Sequence, residues 1–145
     1  MLNRYTCVNG YRGFESLPLR FCGIHAMTRH VRFSSLNEFW PFYISQHMRR
    51  GNRRLHFIGT TFGLLCLAAA ALFCDWRFLV LGLVLSYGLA WTGHFFIEKN
   101  APATFEHPVL SFRADFRMYV FMLAGKMESE IMRLKEQVAP YLSAR

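Results

Sequence analysis

Several familiar patterns are missing from this sequence, and each absence removes a class of function. The four cysteines, Cys7, Cys22, Cys66 and Cys74, form no CxxC pair, so neither a zinc ribbon nor a thioredoxin-type site is indicated. There is no HExxH, which argues against a zinc protease. Six histidines are fewer than the multi-box clusters of di-iron membrane hydroxylases require, so one metal ion is the better expectation. Internal repeats and low-complexity segments are absent. Charge is scarce, at 18% of residues against 53% hydrophobic, and acid is scarcer still, with 9 Asp and Glu against 17 Lys and Arg. The net charge of +8 does not point to nucleic acid, because arginines flank an apolar segment, where anionic lipid headgroups are the nearer partner.

At 145 residues the chain is expected to be one domain. Residues 1–26 carry no helical period and lack the apolar core of a signal peptide. Gly13-Phe14-Glu15-Ser16 has a different origin in our reading: Phe-Glu-Ser is what the T-arm of a transfer-RNA gene encodes when it is read as protein. We expect residues 1–26 to be a spurious or disordered extension and translation to begin at Met27. The domain is then 27–145.

Ser35-Leu36-Asn37-Glu38 has the spacing of a capping box and predicts a helix that starts there or near Pro41. Its aromatic side (Phe39, Trp40, Phe42, Tyr43) suits a membrane interface, and Gly51-Asn52 is expected to break it. Phe57 to Phe73 holds no charged residue. Asp75-Trp76-Arg77 interrupts, and Phe78 to Ile97 continues with one histidine and no formal charge. A bilayer core of roughly 30 Å takes about 20 helical residues. Both runs are apolar all round, and the chain offers too little protein to bury them. We therefore expect an all-α membrane bundle: a two-span hairpin, over about 56–74 and 77–98, flanked by interfacial or amphipathic helices.

Pro102 ends the second span near Asn100. From Pro108 the positions Phe112, Phe116, Val120, Leu123, Met127, Ile131, Leu134 and Val138 form one continuous stripe, the mark of a long amphipathic helix. Arg49, Arg50, Arg53 and Arg54 precede the first span, and Lys99, Arg113, Arg117 and Lys126 follow the second. The connecting loop has only Arg77. The positive-inside rule puts both termini in the cytoplasm, at the inner membrane if the source is a bacterium.

Histidine placement carries the functional signal. In a hairpin centred on Asp75, residues whose numbers sum to about 150 lie at one depth, and His56 and His94 do. His47 lies just before the first span and His107 just after the second, so four histidines are placed to converge at one face. Polar groups at membrane depth face protein interior or a cavity, and imidazole suits iron, zinc or copper. Glu98, one helical turn beyond His94, is the candidate catalytic carboxylate. It is either a ligand completing a two-histidine, one-carboxylate set or an acceptor that orients the His94 ring; Glu106 is a second candidate. The bland reading makes the histidines headgroup contacts or caps.

Two stretches resemble a known family. Phe42-Tyr43 through His47 and Asn52-Arg53-Arg54-Leu55-His56-Phe57-Ile58-Gly59-Thr60 form the first. Gly93-His94-Phe95-Phe96-Ile97-Glu98-Lys99-Asn100-Ala101-Pro102-Ala103-Thr104-Phe105, followed by Pro108, form the second. They resemble the motifs of the 2-hydroxy fatty acid dioxygenase family, small helical membrane proteins with many bacterial members, and the likeness covers about Phe39 to Lys126. It implies a dioxygenase of fatty-acid α-oxidation that uses Fe2+ and molecular oxygen to shorten a 2-hydroxy fatty acid by one carbon. In fungi the family works in the endoplasmic reticulum. The implied iron ligands are His47, His56, His94 and His107. Arg53, Arg54 or Lys99 are then placed to pair with the substrate carboxylate, or equally to serve as headgroup and topology charges. The alternatives are a haem-binding electron carrier on facing histidines, or a non-catalytic membrane scaffold.

Overall fold

A computed structural model describes residues 32–143, and among these it is helical throughout, with no strand. The expectations for residues 1–26, including the transfer-RNA reading, lie outside the described residues. The chain runs through α1 (Leu36–Ser45), α2 (Arg50–Phe73) and α3 (Arg77–Thr92), which continues as a π-helical turn over Gly93–Glu98. A short 3-10 turn at Ala103–Phe105 leads to α4 (Pro108–Leu123), α5 (Met127–Arg133) and α6 (Lys135–Ser143).

The expected cap starts α1. The Ser35 hydroxyl accepts the Glu38 N–H at 3.2 Å. The Glu38 carboxylate, however, reaches back one residue further than in a standard capping box and accepts the N–H and hydroxyl of Ser34 at 2.9 and 2.6 Å. The aromatic side of α1 is not interfacial. Phe39, Trp40, Tyr43 and Ile44 are all buried, together with Met118, Met127, Leu134 and Val138, in the one large apolar core of the described residues. The break after α1 falls at residues 46–49, upstream of Gly51-Asn52, which lie in the first turn of α2. Gly51 serves contact there: a Cβ would stand 3.2 Å from the Ile97 side chain.

α2 and the α3–π helix are each long and apolar enough to cross a membrane. Only 11% and 17% of their apolar stretches are buried, whereas a soluble core helix would be mostly buried. Leu65, Leu72, Phe73, Leu83 and Val84 all point outward, a surface that suits lipid. The two helices meet through small residues. Gly59 and Gly63 of α2 face Gly82 and Ser86 of α3, and the Ser86 hydroxyl shares its one proton between the carbonyls of Gly59 (2.9 Å) and Gly82 (2.7 Å). A Cβ on Gly82 would lie 2.9 Å from the Cys66 Cβ, so the backbones approach as closely as small-residue seams allow. Cys74, in the left-handed region at φ 51°, ends α2, and the Asp75 carboxylate accepts the Arg77 N–H at 2.9 Å to start α3.

The single long amphipathic helix does not form. α4 stops at Gly125 (φ 66°), where the Lys126 N–H returns to the Phe121 carbonyl at 2.9 Å and closes a Schellman turn. The turn re-aims the chain and splits the stripe. Met127, Leu134 and Val138 go into the core, while Phe112, Val120 and Leu123 stay exposed. α1, α4, α5 and α6 thus make a cap over one end of the hairpin. Trp40 ties it together: its indole N–H donates to Glu130 at 2.9 Å, and the Arg117 guanidinium lies 4.6 Å from its ring. Arg133, bonded to Glu130 at 2.7 Å, holds that carboxyl below the usual range and keeps it ionised.

Candidate metal centre

The hairpin and the cap meet at His47, His56 and His94, all three buried. His56 projects from the second turn of α2, and His94 from the π turn that ends the second long helix. His47 comes from the bend after α1, which the Ile44 carbonyl closes by accepting the His47 N–H at 2.9 Å. Close approach of α2 to the π turn is built in: Gly93, beside His94, has no room for a Cβ because the Asn52 side chain occupies the space.

The Nε2 atom of His56 lies 3.2 Å from that of His47 and 3.2 Å from that of His94. Each Nδ1 faces the other way, toward an acceptor. His47 Nδ1 meets the Tyr43 carbonyl at 2.7 Å, His56 Nδ1 the Asp115 carboxylate at 3.0 Å, and His94 Nδ1 the Asn100 side-chain oxygen at 2.8 Å. Carbonyl and carboxylate oxygens accept only, so each Nδ1 carries the proton and each Nε2 presents a lone pair inward. Three lone pairs converging in a buried space repel unless a cation lies between them. Two nitrogens each about 2.1 Å from one ion and about 100° apart stand about 3.2 Å from each other, so the donor set fits a single first-row metal ion.

Electrostatics agree. Burial first, and then the two neighbouring imidazoles, push His47 well below the ordinary histidine range, leaving it neutral and able to ligate. The Tyr43 ring stacks on it at 4.1 Å between centroids. Burial and the neighbouring Asp115 push the Tyr43 hydroxyl well above its usual range, so it stays protonated and donates to Asp115. Asp115 therefore braces His56 while Tyr43 braces Asp115.

The other expected site residues have different placements. His107, at the start of α4, has its ring edge-on to Phe33 (5.2 Å) and Phe39 (5.5 Å), an aromatic contact apart from the three histidines. Glu98 is buried, and its carboxylate accepts the N–H groups of Met48 (3.2 Å) and Arg49 (3.0 Å) at the start of α2. Glu98 closes the π turn that begins beside His94, and its carboxylate is turned to the backbone that starts α2. Arg53 is buried, bonded to the carbonyls of His47 and Met48 and paired with Glu128 at 2.6 Å. Arg54, Lys99 and Glu106 are exposed. Asp115 and Asn100 had no role in the sequence reading. Asp115 is the sole acid of α4, and Asn100 lies inside the second motif, and these were the available signals.

A cavity of about 400 Å³ opens beside the histidines. His56, His94 and Asp115 line one end; Leu64, Leu67, Leu79 and Leu83 line the other. No lysine or arginine is among the described residues that line it.

A family model described as 2-hydroxy-palmitic acid dioxygenase Mpo1-like matches residues 33–127. Comparison with curated proteins and with solved structures gives no match.

Proposed function

The chain belongs to the 2-hydroxy-palmitic acid dioxygenase Mpo1-like family, and from that premise we propose that it is a membrane dioxygenase holding ferrous iron on His47, His56 and His94 and shortening a 2-hydroxy fatty acid by one carbon. The observation that carries this reading is the convergence of three buried Nε2 atoms, those of His47 and His94 each 3.2 Å from that of His56, beside an apolar cavity that His56 and His94 line. Bound there, the iron would supply activation of molecular oxygen and a counter-charge for the substrate's carboxylate and hydroxyl.

The reaction balances without a further reductant. R–CH(OH)–COO⁻ and O2 become R–COO⁻, CO2 and H2O: the C1–C2 bond breaks, C2 rises from alcohol to acid, and the substrate's four electrons reduce the oxygen. The chain's own residues do the positioning. Tyr43, Asp115 and Asn100 fix the ring orientations of the three histidines, and apolar walls keep water from the site. Because no lysine or arginine among the described residues lines the cavity, we assign recognition of the carboxylate to the metal rather than to Arg53, Arg54 or Lys99.

The hairpin in this reading spans the bilayer with the cap on the cytoplasmic side, since Arg49, Arg50, Arg54, Lys99 and Arg113 cluster there against Arg77 alone at the turn. In a bacterium this is the inner membrane. Cys74 is exposed at that turn. In a Cys7→Ser, Cys22→Ser background it should react with an impermeant maleimide in intact cells, and labelling only after permeabilisation would reverse the orientation.

The facing pair His56 and His94 suits a haem carrier less well, because their Nε2 atoms stand 3.2 Å apart, closer than the roughly 4 Å between two nitrogens on opposite sides of one iron. The test of the activity is anaerobic reconstitution with ferrous iron, then oxygen and 2-hydroxypalmitate, with products read by mass spectrometry. The acid one carbon shorter is expected. Iron-loaded protein that gives no shortened acid at any acyl length would retire the assignment.

A further inference from the structure

We propose that the cavity beside the histidines is an acyl-chain groove of defined direction, enclosed at its head and open to lipid along its tail, which takes long-chain acids laterally from the bilayer. The identity of the head group rests on the reading above; the path of the chain does not.

Three observations define the direction. First, polarity is graded. His56, His94, Asp115 and Thr60 lie at the head, and beyond Ser86 the walls are Leu64, Leu67, Leu79 and Leu83. Second, cover is graded in the same sense. Pro102 and Thr104 of the loop and Phe112, Asp115 and Phe116 of α4 wall only the head, while the tail is bounded by α2 and α3 alone. Leu67 and Leu83, at 55% and 60% exposure, leave that part of the groove facing out. Third, the floor is the small-residue seam. Gly63, Gly82 and Ser86 line the cavity where a larger residue would fill it. The seam brings the two helices together and also leaves a trough above their contact.

Length follows from helix geometry. Leu67 lies 11 residues beyond His56, or about 16 Å at 1.5 Å per residue, and Leu79 lies 15 residues from His94, or about 22 Å. An extended alkyl chain advances about 1.25 Å per carbon, given a C–C bond of about 1.5 Å and tetrahedral angles. The groove therefore follows roughly 13 to 18 carbons past C2, which selects long-chain acids. Its open tail sets no upper limit. A methylene beyond the groove passes from lipid to lipid and gains nothing, so longer chains are tolerated rather than preferred.

The test is photo-crosslinking in lipid nanodiscs under argon, with and without ferrous iron, read by peptide mass spectrometry. Two 2-hydroxy fatty acids are used, one carrying a diazirine near the seventh carbon and one near the fifteenth, which by the spacing above reach about 6 Å and about 16 Å from the histidines. The first should mark Thr60 and Ala90, and the second Leu67 and Leu83. An Ala90→Trp variant, filling the groove near its head, should lose both marks at least tenfold, whereas Leu67→Trp should lose only the second. Crosslinks spread over the outward residues Leu65, Leu72 and Val84 without regard to diazirine position would overturn the proposal, as would a reversed register. Because no turnover is read, a protein that binds in register but yields no shortened acid keeps the groove and loses only the activity.

Discussion

In the α2–α3 hairpin large apolar side chains face outward and small residues face inward, whereas in the cap of α1 and α4–α6 the large side chains of Phe39, Trp40, Tyr43 and Met118 face inward. Leu72 is 79% exposed in the hairpin; Phe39 is fully buried in the cap. Both regions are rich in apolar residues, so composition does not separate them; the solvent each is built for does. Water drives large side chains inward because every apolar Å² removed from it is favourable. Lipid supplies no such drive, and helices within it associate through close backbone contact, which requires glycine and serine. The histidine cluster lies where the two regimes meet. Two imidazoles come from the hairpin, the third from the bend below α1, and Asp115 braces the set from α4.

The difference makes opposite demands on substitutions. The cap should be most sensitive to loss of volume. Trp40→Ala removes a buried ring, its bond to Glu130 and the surface on which Arg117 stacks, and should cost about 3–5 kcal/mol in denaturant unfolding. Leu72→Ala in the hairpin should stay within about 0.5 kcal/mol. Equal losses for the two would erase the distinction between the regions. At the junction, both regions should be needed for metal. His56→Ala from the hairpin and His47→Ala from the bend should each weaken iron binding at least about 100-fold, beyond the range seen for residues that merely support ligands. The measurement is anaerobic titration with ferrous iron. His107→Ala should leave affinity within about threefold, given that its ring contacts are with phenylalanines.

The hairpin should be most sensitive to added volume. Gly82→Leu forces side-chain carbons against Cys66, where a Cβ alone would stand at 2.9 Å, and should destabilise the helix pair by about 1–3 kcal/mol. The readout is the distance between spin labels at Leu65 and Val84, both outward, which should lengthen and broaden. An unchanged distance distribution would mean that the seam does not set the spacing of the helices.

Much of the hairpin was legible because its signals are local. Two apolar runs of membrane length flank a charged turn, and chain reversal alone puts His56 and His94 at one depth. What was not legible depended on packing between distant segments. The aromatic face of α1 looks the same in sequence whether it meets headgroups or α6, and only the return of Leu134 and Val138 decides for a buried core. The stripe beyond Pro108 has an unbroken period, yet Gly125 in the left-handed region ends α4 inside it. The partners of Glu98 are the N–H groups of Met48 and Arg49, about fifty positions away, which no spacing within its own helix encodes. Asp115 reaches His56 across 59 positions through the register of α4 on α2, which no spacing within either helix encodes.

That cross-helix reach gives the smallest of the expected effects and the one that best separates bracing from ligation. Asp115→Asn keeps an oxygen able to accept the His56 Nδ1 proton but removes the negative charge, so the His56 tautomer should persist while its Nε2 becomes a weaker donor. Iron affinity should fall about tenfold, at the lower end for a residue supporting a ligand. Asp115→Ala removes the acceptor as well, frees the His56 ring to turn and leaves the buried Tyr43 hydroxyl without its partner, so its loss should approach about 100-fold. The graded pair is the diagnostic, because a purely structural Asp115 would make the two variants alike in iron affinity once unfolding is accounted for. The imidazole signals of the zinc-substituted protein by NMR supply the second readout: in Asp115→Asn the His56 Nδ1 proton should remain protected from exchange, and in Asp115→Ala it should not. Loss of that protection in both variants would mean that the carboxylate charge, and not the hydrogen bond, holds the cap to the metal centre.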